Sequence, residues 1–139
     1  EKGNLIGVIP RALDSKEYAH AGVTEIRIVS SMHERKAMMA ELSDAFIAMP
    51  GGFGTFDEFF EILTWSQLGL HAKPIGLLNV EGYFDLLLAF INHVLEERFI
   101  QTEHSRLIIT YRHPGELLSE LTRCKPLQKL PQVIDWKET

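Results

Sequence analysis

Apolar residues recur in five short runs along the chain, and several of these runs are rich in β-branched side chains. The runs predict strands at residues 5–9, 25–29, 45–49, 75–78 and 107–110. Between and after the later runs, apolar residues return at helical spacing, which predicts helices at approximately 31–43, 56–68, 83–97 and 114–122. Because parallel strands need long crossovers that cover the sheet, this alternation indicates parallel pairing.

The predicted fold class is therefore α/β, a Rossmann-like parallel sheet with helices on both faces. A chain of 139 residues, 45% of them hydrophobic, has the size of one globular domain with a real core. We expect that domain over residues 1–125 and a C-terminal tail over residues 126–139. Because Glu1 lies in what reads as the approach to a strand, we expect the natural N-terminus to lie upstream of it.

Charge and cysteine content narrow the class of partner. The formal net charge is −5 and the pI is near 5.7, so no basic excess favours nucleic acid or an anionic membrane. The single Cys124 cannot form an internal disulfide, and no apolar run approaches the roughly 18 residues of a membrane span. These features predict a soluble cytoplasmic protein that binds small solutes or other proteins.

Three glycines stand at the corner between the strand at 45–49 and the helix that follows it: Gly51, Gly52 and Gly54. In open α/β sheets, ligands bind outside the carboxyl ends of the strands, where loops lead into helix N-termini. Residues 51–55, which we call the glycine turn, are followed by a helix predicted to begin near Thr55. Exposed backbone at a helix N-terminus suits a phosphate. The pattern is neither a P-loop nor G-x-G-x-x-G, and a tight corner without a ligand remains an equal alternative.

An acid follows the glycine turn at Glu58. Thr55 and Glu58 also fit a capping box, in which the two residues satisfy each other's backbone donors, and this alternative stays open. Asp57 and Glu61 are the rival acids.

A second candidate site lies at residues 31–36, after the strand at 25–29. Ser31 and Glu34 fit a capping box, so a helix is expected to begin at Ser31. Arg35 and Lys36 then lie near the positive end of the helix dipole, where cations are unfavourable. A bound anion would explain their position; pairing with nearby glutamates is the alternative.

The histidines and the apolar stripe of the third predicted helix suggest no further catalytic site. The six histidines show no metal-ligand spacing, and we predict no metal. The apolar stripe within residues 86–95 either faces the sheet or forms a dimer contact.

Four segments together resemble one known family. They read M-P-G-G-F-G-T at 49–55 with Glu58, M-H-E-R-K at 32–36, T-W-S-Q-L-G at 64–69 and G-L-L-N-V-E-G-Y at 76–83. This combination resembles the LOG family of cytokinin riboside 5′-monophosphate phosphoribohydrolases, often labelled "lysine decarboxylase-like". The similarity runs from about Gly3 to about Leu121.

The resemblance implies a Rossmann-like homodimer that hydrolyses the N-glycosidic bond of an adenosine 5′-monophosphate, often N6-modified, without a cofactor. It implies that Arg35 and Glu58 are catalytic. It places the phosphate or nucleotide on Gly51, Gly52, Gly54, Thr55, Met32 and Lys36. Family members usually carry a further first strand and a glycine-rich segment, which nothing before Glu1 supplies, so we expect the sheet to lack its N-terminal strand here.

Three other functions remain as alternatives. A non-catalytic nucleotide carrier or sensor would need the glycine turn but neither Arg35 nor Glu58. A pyridoxal phosphate enzyme would need a Schiff-base lysine, and no lysine context singles out Lys16, Lys36 or Lys73. An interaction domain would use the helix at 83–97 alone.

Overall fold

The computed structural model of the chain describes residues 3–13 and 22–124. The predicted tail at 126–139 and Lys16 lie outside the described residues. In chain order, the elements are β1 (Ile6–Pro10), β2 (Glu25–Val29), α1 (Met32–Leu42), β3 (Phe46–Ala48), α2 (Phe53–Gln67), β4 (Ile75–Leu78), α3 (Asp85–Glu96), α4 (Thr102–Ser105), β5 (Ile108–Tyr111) and α5 (Pro114–Arg123). Short 3₁₀ turns occupy Arg11–Leu13 and Val80–Gly82.

The chain divides into two compact units, Glu1–Ser43 and Asp44–Thr139. In the first unit, β1 and β2 pair in parallel, from Ile6 opposite Glu25 to Pro10 opposite Val29. Val29 is the buried apolar residue at the end of β2, and α1 begins three residues later at Met32.

The second unit is a parallel three-stranded sheet in the order β3-β4-β5. Its central strand β4 is buried at Ile75 and Leu77, while α5 covers the opposite face at Gly76, against which Leu117 packs. Side chains alternate between faces along a strand, so β4 is covered on both sides, as a hydrophobic strand in a parallel sheet must be. The α/β class with parallel strands is confirmed.

The apolar stripe of α3 is accessible to solvent at two of its large side chains. None of its residues is buried in the chain, and Leu86 and Phe90 are 86% and 60% exposed. These two side chains therefore do not face the sheet. Among the described residues, no helix combines the length and apolar character that crossing a membrane requires.

Candidate functional site

The glycine turn follows β3 and leads into α2. Gly52 is the N-cap residue, with an extended backbone and no capping side chain. The first intrahelical bond runs from Phe56 N to the Gly52 carbonyl at 3.2 Å, so the amides of residues 53–55 lie ahead of it at the helix N-terminus. The turn thus presents backbone donors and the positive dipole end at the carboxyl end of β3, as a phosphate seat requires.

The predicted capping box between Thr55 and Glu58 is wrong. The helix begins at Phe53 rather than near Thr55, so Thr55 is its third residue and Glu58 its sixth. The reason is that Phe53 and Gly54 take helical conformations themselves, which moves the N-cap to Gly52. Glu58 consequently lies in the second turn of α2 and is half-buried.

The glycines differ in what surrounds them. A Cβ on Gly51 would collide with the Thr55 hydroxyl, so this position needs glycine for space. A Cβ on Gly52 or Gly54 would meet nothing within 4 Å. The backbone at these two positions therefore borders open space, and a ligand can approach it directly.

Residues 79–85, which we call the Asn79 turn, hold the glycine turn from the neighbouring strand β4. The Tyr83 hydroxyl donates to the Gly51 carbonyl at 2.6 Å. Asn79 is 3% exposed; its Oδ1 accepts from Phe84 N and its Nδ2 donates to Asp85 Oδ1, both at 2.7 Å. Sequence reasoning assigned no role to Asn79 or Tyr83, because an Asn after a buried strand and a Gly-Tyr pair are ordinary turn residues.

At the second candidate site, Ser31 caps α1 as predicted, accepting from Glu34 N at 3.1 Å. The Glu34 carboxylate accepts from Ser30, the residue before the N-cap Ser31. Its Oε2 accepts from Ser30 Oγ at 2.6 Å and from Ser30 N at 2.7 Å. The hydroxyl and then the amide of Ser30 lower the pKa of Glu34, because both bonds favour the ionised carboxylate.

Arg35 begins the second turn of α1 and is half-buried. Its Nε–H donates to the Val8 carbonyl of β1 at 3.1 Å, which fixes the direction of the guanidinium. This bond gives Arg35 a local structural reason for its position. Met32, 43% exposed, opens the same helix, and Lys36 follows Arg35 half-buried.

The predicted site residues lie in two groups. Within the first unit, α1 brings together Met32, Arg35 and Lys36. Within the second, α2 and the residues before it bring together Gly51, Gly52, Gly54, Thr55 and Glu58.

The rival acids on α2 have a different environment from Glu58. Asp57 and Glu61 line an open groove of about 380 Å³ along α2, and Glu58 does not line it. In the described part of the chain, no group of three His, Cys, Asp or Glu residues is placed to hold a metal ion.

Comparison with known proteins decides the family. Residues 1–121 match the family described as possible lysine decarboxylase. The chain belongs to this family. It is 47% identical over 132 residues to cytokinin riboside 5′-monophosphate phosphoribohydrolase LOG of Oryza sativa subsp. japonica, covering 95% of this chain and 54% of the relative. It is 50% identical over 123 residues to cytokinin riboside 5′-monophosphate phosphoribohydrolase LOG4 of Arabidopsis thaliana, covering 88% of this chain and 57% of the relative. The chain spans about half the length of these curated relatives, and the resemblance predicted from the motifs is confirmed.

The family's descriptive label raises pyridoxal phosphate chemistry, which needs a lysine and a phosphate seat in one cavity. Lys73 directly precedes Pro74 and β4, whereas the glycine turn follows β3. Because β3 and β4 are parallel, Lys73 and the glycine turn lie at opposite ends of the sheet. Lys73 and the glycine turn therefore do not form a pyridoxal phosphate site.

Proposed function

We propose that the natural protein hydrolyses the N-glycosidic bond of adenosine 5′-monophosphates, including N6-modified ones, to the free base and ribose 5-phosphate. The observation that carries the proposal is the glycine turn, whose open backbone at Gly52 and Gly54 stands at the N-terminus of α2. The relatives named as cytokinin riboside 5′-monophosphate phosphoribohydrolases support the same reaction.

In this proposal, the substrate's phosphate docks on the amides of the glycine turn, which fixes the ribose in register. Glu58 lies one helical turn further along α2 and half-buried, as an acid acting beside a docked sugar should be. It orients or deprotonates the attacking water and stabilises positive charge developing on the anomeric carbon.

For Arg35 we propose the part that the family pattern gives it, a cation acting on the substrate's phosphate or ribose oxygens. The hydrogen bond from Arg35 Nε to the Val8 carbonyl fixes the direction of the guanidinium. A guanidinium held in this way can still bind an anion through its terminal nitrogens. Lys36 assists, and Met32 is assigned to nucleotide binding.

The catalytic role of Glu58 predicts a large effect of Glu58→Gln on the turnover number. We expect a loss of about 100-fold or more, because general base catalysis is worth at least that much. Asp57→Asn is the matched control, since Asp57 neighbours Glu58 on α2 but lines the separate groove. Steady-state release of base from AMP measures both variants; a Glu58→Gln turnover number within about threefold of wild type would contradict the role.

A non-catalytic nucleotide carrier or sensor is the second candidate. The bond from Arg35 to Val8 favours it, because anchoring α1 to β1 explains this arginine without any reaction. Calorimetric binding of AMP with no release of base by the wild type would decide for this candidate.

We also propose a cytoplasmic homodimer. The 86% and 60% exposures of Leu86 and Phe90 on α3 support an apolar contact with a second copy, and the single cysteine suits a reducing compartment. Sedimentation of the wild type as a monomer only would contradict the dimer.

A further inference from the structure

The Tyr83 hydroxyl donates to the Gly51 carbonyl, which belongs to the same peptide group as the Gly52 N–H. In a planar trans peptide, the carbonyl and the following N–H point in opposite directions. With the Gly51 carbonyl directed at Tyr83, the Gly52 N–H therefore points away from Tyr83. The peptide bond between Gly51 and Gly52 is flanked by glycine on both sides, which makes reorientation of this peptide unusually easy.

The hydrogen bonds of the Asn79 turn fix the backbone that carries Tyr83, the donor to the Gly51 carbonyl. Asn79 is buried and bonded through both side-chain polar atoms, and its backbone N–H donates to the Tyr111 carbonyl at 2.8 Å. Phe84, 1% exposed, packs edge-on against Phe56 of α2 with ring centroids 6.4 Å apart. The Asn79 turn thus contacts α2 and the glycine turn at two points, through Phe84 and through Tyr83.

We infer that Tyr83 is a positioning residue: its hydroxyl holds the peptide bond between Gly51 and Gly52 in the orientation that presents the Gly52 N–H to the phosphate of the substrate. This inference rests on the proposed function for the location of the phosphate. Without the hydroxyl, the peptide samples the flipped orientation, in which a carbonyl oxygen replaces the N–H and repels the anion. The apparent affinity for a phosphate-bearing ligand then falls with the fraction of correctly oriented turns.

Tyr83→Phe removes only the hydroxyl of a side chain that is 51% exposed, so we expect the fold to be unchanged. Tyr111→Phe is the matched control; it removes a phenol hydroxyl at the end of β5 and leaves the backbone carbonyl that Asn79 uses. We expect the dissociation constant of ribose 5-phosphate, measured by titration calorimetry on the natural full-length protein, to rise about threefold to tenfold in Tyr83→Phe, the equivalent of one net hydrogen bond. Adenosine, which has no phosphate, should bind both variants like the wild type, and the thermal midpoint should stay unchanged.

An unchanged dissociation constant for ribose 5-phosphate in Tyr83→Phe would overturn the inference, as would equal weakening of ribose 5-phosphate and adenosine. Failure of the wild type to bind ribose 5-phosphate would overturn it too. With AMP as substrate, the expected signature is a raised KM with an unchanged kcat, because the phosphate is held equally in the ground and transition states. If the wild type binds ribose 5-phosphate but releases no base from AMP, the proposed function fails while the titrations still decide the role of Tyr83.

Discussion

His71 holds its imidazole between two backbone groups of the second unit. Nε2 lies 2.9 Å from the Ile62 carbonyl, and Nδ1 lies 3.1 Å from the amide nitrogen of Lys73. Because Nδ1 must accept from that amide, the arrangement requires the neutral ring with its proton on Nε2. Burial lowers the pKa of His71, the nearby Lys73 cation lowers it further, and the bond to Ile62 opposes both.

This lowered pKa predicts a pH-dependent stability. The unfolded chain takes up a proton at the ordinary histidine value of 6.5 while the folded ring resists it, so the unfolded state binds more protons below that pH. The contribution of His71 is fully present above 6.5 and is lost as the pH falls from there through the lower folded pKa. Thermal midpoints from neutral to mildly acidic pH should therefore fall less steeply in His71→Gln than in the wild type. His93→Gln, exposed on α3, is the control; parallel curves for wild type and His71→Gln would contradict the prediction.

Two identical cap patterns show where residue-level prediction succeeds and where it stops. Ser31 does cap α1, whereas Thr55 lies inside α2 because the helix starts at Phe53. The pattern gives the residues that can cap a helix, but not which of several permitted starts the chain adopts. At the glycine turn, Gly52 is extended while Phe53 and Gly54 are helical, so α2 starts two residues before Thr55. The spacing of Thr55 and Glu58 does not predict this earlier start.

At the scale of elements, the packing of α5 on β4 depends on a missing side chain. A Cβ on Gly76 would stand 2.9 Å from Leu117 Cδ1 and 3.3 Å from Leu121 Cδ1. Leu117 and Leu121 are 1% and 5% exposed, so neither can move aside without disturbing the core.

Gly76→Ala should therefore lower the free energy of unfolding by about 1–3 kcal/mol, the usual cost of overpacking a core. Gly115→Ala is the same chemical change in α5 at a position where a Cβ meets nothing within 4 Å. It should leave the stability unchanged or raise it by up to about 1 kcal/mol, because alanine favours the helix. Urea unfolding of the two variants beside the wild type measures the difference; equal midpoints for Gly76→Ala and Gly115→Ala would show that α5 does not rest on Gly76.

The strand β4 was predictable because it is buried on both faces and therefore reads as a continuous apolar run. The short helix α4 was not, since four residues are too few to show helical periodicity. The Asn79 turn was equally hidden, because its contacts join residues about 30 positions apart, such as Tyr83 and Gly51.

At the scale of the whole molecule, the sequence predicted the α/β class and the family, and the candidate residues followed from the family's motifs. The pairing of strands into two parallel sheets, β1-β2 and β3-β4-β5, was not predictable, because apolar runs identify strands without naming their partners. The catalytic assignments of Arg35 and Glu58 remain predictions. They rest on motif and family, and the structure adds the environments in which each would act.

Hydrolysis of the N-glycosidic bond is tested by chromatography of the products after the natural full-length protein is incubated with AMP and with isopentenyladenosine monophosphate. We expect free base and ribose 5-phosphate from the wild type and almost none from Glu58→Gln, and the better substrate reveals the preferred base. Intact nucleotides from the wild type, with nucleotide binding still measurable, would contradict the hydrolase and leave the glycine turn as a seat for nucleotides without catalysis.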